Sequence, residues 1–93
     1  MKIEHDETII EGKWILDSHN KVVGDDACRR VHDLKLNYLL KLATDESGWD
    51  ILYKDPADGR FWELIYPQSE MHGGGPPTLR NLTQAETKQK YGV

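Results

Sequence analysis

Cysteine is almost missing from this chain of 93 residues, which has only Cys28. A lone cysteine excludes an intrachain disulfide framework. With no neighbouring motif to lower its pKa, it reads as a small buried apolar side chain in a reducing compartment. Long apolar runs are missing too, and the longest falls far short of the roughly 20 residues that a membrane span requires. The N-terminus Met1-Lys2-Ile3-Glu4-His5-Asp6-Glu7 lacks the basic region and apolar stretch of a secretory signal. A soluble, cytoplasmic protein with no membrane partner is therefore expected. Bases are scarce where acids are dense. Between Thr44 and Glu70 only Lys54 and Arg60 face Asp45, Glu46, Asp50, Asp55, Asp58, Glu63 and Glu70, which gives that segment −5 within a chain of net −4. A nucleic-acid binder clusters the opposite sign on one face, so binding to DNA or RNA is disfavoured. A protein partner with a basic surface is favoured, because complementary fields speed encounter and fix orientation. On charge alone, acids that merely solvate the surface stand at even odds with this reading.

The length sets the architecture. A chain of this size buries roughly 60–70% of its unfolded surface, enough for one core. Apolar burial set against chain entropy leaves only about zero to a few kcal/mol. We expect one domain over residues 1–93, with residues 1–8 frayed, and a functional site on the surface.

Gly12 to Ser18 reads as a strand running into a turn at His19-Asn20, with a short partner at Lys21–Val23. Gly24 breaks that hairpin. Asp25 or Asp26 then caps a helix whose apolar residues Ala27, Val31, Leu34, Tyr38, Leu39 and Leu42 recur at steps of three and four, which predicts a helix over Asp26–Ala43. Trp49–Lys54 and Arg60–Tyr66 flank the turn Asp55-Pro56-Ala57-Asp58-Gly59 and predict a second hairpin. Alternation puts Phe61, Glu63 and Ile65 on one face of its last strand and Trp62, Leu64 and Tyr66 on the other, with one side packed on the helix and the other half covered. Gln68 to Pro77, with three glycines and two prolines, reads as a loop. Thr83-Gln84-Ala85-Glu86 has capping-box spacing and predicts a short C-terminal helix through Gln89 or Lys90. The fold expected is α+β: one main helix on a small antiparallel sheet of two hairpins with three to four strands, and a short C-terminal helix.

Catalytic readings fail on context. His72-Gly73-Gly74-Gly75 is similar to an esterase oxyanion loop, but there is no G-x-S-x-G elbow and no large sheet. A phosphate-binding loop needs Lys-Ser/Thr at the head of a helix, and Pro76-Pro77 follow here. Glu70 and His72 lie two apart, and His5, His19 and His32 have no ligand spacing to them, so neither metal nor cofactor is expected. Glu63 with Glu70 or Asp58 is a carboxylate pairing open to acid–base work, but Glu63 between aromatics reads more simply as a strand residue paired with Arg60, Lys54 or another arginine. Trp49, Tyr53, Phe61, Trp62 and Tyr66 supply core and, for some of the five, a protein-binding surface. Which ring faces outward is not decided by the sequence.

The stretch from Trp49 to Pro77, and most specifically Trp62-Glu63-Leu64-Ile65-Tyr66-Pro67 through His72-Gly73-Gly74-Gly75-Pro76-Pro77, resembles the signature of the immunity protein 27 family. The likeness extends upstream through Glu7-Thr8, Gly12-Lys13-Trp14 and Asp25 to Leu42, with only conservative departures such as Phe61 and Ile65. The resemblance implies a bacterial protein, encoded beside a polymorphic toxin, that protects its producer by binding the toxin domain, often a nuclease. It implies a binder and not an enzyme. Our reading of the hairpin and loop, apart from the resemblance, nominates Asp55, Asp58, Trp62, Glu63, Glu70 and His72 as partner contacts. The Gly73–Pro77 stretch reads either as a contact or as routing of the chain across the sheet edge. Two rivals remain at this stage: an adaptor unrelated to toxins, and a small metal-dependent hydrolase built on Glu63, Glu70 and His72.

Overall fold

The computed structural model describes residues 2–68 and 75–93. Among these residues are seven strands and two helices, in the order β1 (Ile9–Glu11), β2 (Trp14–Leu16), β3 (Val22–Gly24), α1 (Asp26–Asn37), β4 (Leu40–Thr44), β5 (Ile51–Lys54), β6 (Phe61–Ile65), β7 (Thr78–Leu82) and α2 (Gln84–Tyr91). Five strands form an antiparallel sheet in the order β1-β7-β6-β5-β4, and β2 with β3 forms a separate hairpin. The α+β class is as expected, but the main sheet has five strands where three to four were expected. No helix is long and apolar enough to cross a membrane among the described residues.

The difference arises at three places. The helix expected through Ala43 ends at Asn37. Leu39 turns into the core, and Leu40–Thr44 become the edge strand beside β5, with a bulge between Lys41 and Ala43. Leu-Lys-Leu-Ala-Thr fits helical spacing and alternation alike, and pairing with β5 outweighs local preference. The other two missed strands are β1 and β7. Their side chains make sense only once Ile9 pairs Arg80 and Arg80 pairs Glu63 across the ladder.

Strand alternation gives the sheet two different faces. On one, Ile10, Tyr53, Trp62, Leu64 and Leu79 pack with Val31 and Leu34 of α1, forming the core. On the other, Leu52 and Glu63 are buried and α2 lies over β6 and β7. Thr83 caps α2 as its spacing predicted, exchanging hydrogen bonds with Glu86 at 2.9 and 3.1 Å. Asp25 caps α1 through the Cys28 amide (2.9 Å) and also accepts from the Lys13 amide (3.2 Å), so the same carboxylate ties the β2–β3 hairpin to the helix. Gly12 lies where two stretches of chain pass close to each other. Its amide donates to the Pro77 carbonyl at 2.8 Å, and a Cβ there would stand 2.5 Å from the Cys28 Sγ. Cys28 is buried, with its thiol pushed up by burial and by Asp25, as befits a packing residue.

The N-terminal segment, expected to fray, is held down by two arginines. Ile3 is buried in the core. Arg30 from α1 donates to both Glu7 oxygens at 2.6 Å, and Arg60 donates to the Glu7 and Glu4 carbonyls at 2.6 and 2.9 Å. The bidentate Arg30 contact brings the Glu7 carboxyl down to about 2 from 4.5. A carboxylate depressed in the folded state adds stability above its unfolded value and loses it as pH falls through the folded value. Glu7→Gln is therefore expected to cost about 1 kcal/mol at pH 7, with its gap from the parent chain closing as pH falls from 4.5 toward 2. Urea midpoints of the two chains across that range measure it, and a gap independent of pH contradicts it.

Candidate functional site

The acidic segment folds into two turns and the strands between them, and the six nominated residues separate sharply. Asp55 is fully buried at the start of the β5–β6 turn, where its Oδ1 accepts from the Tyr38 hydroxyl (2.6 Å) and the Ala57 amide (2.8 Å). That bond to a carboxylate pushes the Tyr38 phenol up to about 12. Gly59 closes the same turn at φ +77°, a conformation that favours glycine. Asp58 is partly exposed. Its oxygens accept from the Arg60 amide (2.9 Å) and Nε (2.7 Å), aiming the guanidinium at the N-terminal segment and over the Trp62 ring at 4.9 Å. Trp62 is fully buried against α1.

Glu63 is 0% exposed, yet it is the most heavily bonded side chain of the sheet. Its Oε1 accepts from Arg80 Nε (2.8 Å) and Nη2 (2.7 Å), and its Oε2 accepts from the Tyr91 hydroxyl (2.7 Å) and Lys90 Nζ (2.5 Å). Lys90 continues to Asp50 at 2.7 Å. Burial opposes ionisation of Glu63, but the bonds from Lys90, Tyr91 and Arg80 prevail and hold its carboxyl below the ordinary value. The same contact, together with burial, pushes the Tyr91 phenol up.

The partner-contact role expected of Asp55, Trp62 and Glu63 is therefore corrected: they are interior residues that build the scaffold and offer no surface to another molecule. Of the six, Asp58 is at the described surface, and Glu70 and His72 lie outside the described residues. A hydrolytic centre on Glu63 loses its first member too, since both oxygens are occupied by Arg80, Lys90 and Tyr91. Among the described residues no group of three or more His, Cys, Asp or Glu is placed to hold a metal ion.

What the burial brings forward is the β4–β5 turn. Of the five aromatic residues from Trp49 to Tyr66, Tyr53 and Trp62 are buried, Phe61 and Tyr66 half-buried, and Trp49 is 58% exposed. The Trp49 ring stands edge-to-face on Tyr66, with centroids 6.1 Å apart at 74°. Asp45 organises the turn beneath it, accepting from Ser47 Oγ (2.7 Å) and from the Gly48 (3.1 Å) and Asp50 (3.3 Å) amides. Ser47 Oγ in turn accepts from the Trp49 amide at 3.1 Å. On the other side of Tyr66, a cleft of about 220 Å³ opens toward α1, with Trp14, His32, Lys35 and Leu64 in its walls. Sequence reasoning put Trp49 among the aromatics without choosing it. The usable signal was its place between Ser47-Gly48 and the first residue of the strand, flanked by acids.

Glu63→Gln keeps the shape and removes the charge from beneath two cations. Breaking a buried pair this way is expected to cost about 3 kcal/mol and to speed amide exchange in α2 ahead of β5 and β6. Urea unfolding with hydrogen exchange by mass spectrometry measures both, and unchanged exchange in α2 contradicts the assignment of Glu63 as its anchor.

Comparison with curated proteins and with solved structures gives no match. A family model described as immunity protein 27 matches residues 17–83, from the β2–β3 turn through the sheet to the cap of α2. Most of the chain is covered, including both acidic turns and the Glu63 strand, and the chain belongs to the immunity protein 27 family.

Proposed function

We propose that this protein acts in the cytoplasm of a producing bacterium, binding and blocking a cognate polymorphic toxin domain without catalysing a reaction. The observation that carries the reading is family membership across residues 17–83. The physical chemistry is consistent with it. The carboxylate best placed for chemistry by sequence, Glu63, is committed to Arg80, Lys90 and Tyr91. The exposed acids leave a surface suited to a basic protein, as the active-site rim of a nuclease would be. Asp58 stays within the proposed contact set, together with Glu70 and His72, which lie outside the described residues. In this reading the toxin is blocked by occupation of its surface, with affinity concentrated in a few aromatic and charged anchors.

The experiment is co-expression. Cells that carry the toxin domain encoded beside this gene are expected to survive when this protein is present and to die when it is absent. The two purified proteins are expected to elute together at one-to-one stoichiometry. Death despite folded protein, with no complex, overturns the reading and favours an adaptor unrelated to toxins.

A further inference from the structure

We infer that the toxin docks on the Trp49 face of the β4–β5 turn and presents there a basic loop carrying an arginine. The inference rests on the immunity reading and names the surface that reading leaves open.

Trp49 is the one aromatic among the strongly exposed large apolar side chains of the described residues. Exposed indoles are expensive in water and are the side chains that most often dominate protein interfaces. This indole is also held in place. Asp45 and Ser47 fix the turn backbone, Tyr66 packs against the ring in a T-shaped pair, and Lys90 bonds Asp50 of the same turn. A prearranged anchor loses little entropy on binding, so more of the contact energy appears as affinity.

Charge selects the partner. Glu46 is exposed and makes no ion pair among the described residues, whereas Lys90, which reaches the same turn through Asp50, is taken up by Asp50 and Glu63. A guanidinium can stack on the indole face and pair with Glu46 at once, which an ammonium does less well and a carboxylate not at all. The other exposed apolar places lack this directionality. The cleft beside Tyr66 has His32 and Lys35 in its walls, which disfavour a cationic loop. The β2–β3 hairpin exposes Leu16 and Val22, which are next in the chain to charges of opposite sign, Asp17 and Lys21 respectively.

The test is titration calorimetry of the neighbouring toxin domain against the parent chain, Trp49→Ala, Glu46→Lys and a control, Leu36→Ala, at an exposed position on α1. Trp49→Ala is expected to weaken binding at least about tenfold, Trp49→Phe less, and Leu36→Ala not at all. Glu46→Lys is expected to weaken binding and flatten its salt dependence. Thermal unfolding of each variant checks the fold, which surface changes at these positions should leave intact. If the parent chain binds and Trp49→Ala binds equally well, the docking surface is wrong and the immunity reading stands. If the parent chain does not bind the toxin, both fail. If Trp49→Ala abolishes self-association of this protein and leaves toxin binding unchanged, the face joins two copies of the chain and the inference is overturned.

Discussion

A single buried carboxylate organises the side of the sheet away from α1. Glu63 sits opposite Arg80 in the ladder and reaches Lys90 and Tyr91 of α2, and Lys90 reaches on to Asp50. One side chain thereby joins β6, β7, α2 and the β4–β5 turn. α2 has little else to hold it, since of its residues only Thr87 is buried. A buried charge is costly unless its partners are complete, so the arrangement is sensitive to loss of any one donor. It also fixes where α2 lies, which a purely apolar contact between so polar a helix and the sheet would not.

This economy bears on function. A protein that must recognise another by its surface gains from a rigid scaffold, because ordering loops on binding subtracts from affinity. Here Arg30 and Arg60 fasten the N-terminal segment, Asp25 fastens the β2–β3 hairpin, and Lys90 braces the β4–β5 turn. Five of the seven acids between Thr44 and Glu70 act internally in this way: Asp55 on Tyr38, Glu63 on α2, Asp45 on its own turn, Asp50 on Lys90 and Asp58 on Arg60. The acidity that a partner meets is correspondingly narrower than the composition suggests. Glu46, on the turn that carries Trp49, is among the acids left exposed.

The two hairpins, the start of α1 and the capping box of α2 were legible because each rests on local chemistry: a turn residue, a cap, or alternation. β4 was not, because Leu40–Thr44 suits either helix or strand and only the edge of β5 decides between them. β7 was not, because Thr78–Leu82 shows its logic only through Glu63 and Ile10, which are distant in sequence. Of the nominated contact residues, Asp55, Trp62 and Glu63 are interior and Asp58 is at the surface. A strand that alternates aromatics with a glutamate looks half exposed, and nothing in Phe61-Trp62-Glu63-Leu64 announces that α2 returns to cover the glutamate. Trp49, which does face outward, was set apart from the core rings only by its place in the Ser47-Gly48 turn ahead of the strand.

The central claim is that this scaffold presents the Trp49 turn to a toxin, and the most direct measurement is a hydrogen-exchange footprint of the protein with and without its neighbouring toxin domain. The account predicts new protection at residues 45–50 and at the adjoining end of β6, with the β2–β3 hairpin unchanged. Protection confined to the β2–β3 hairpin or to α1, with the 45–50 turn exchanging as in the free protein, would contradict it.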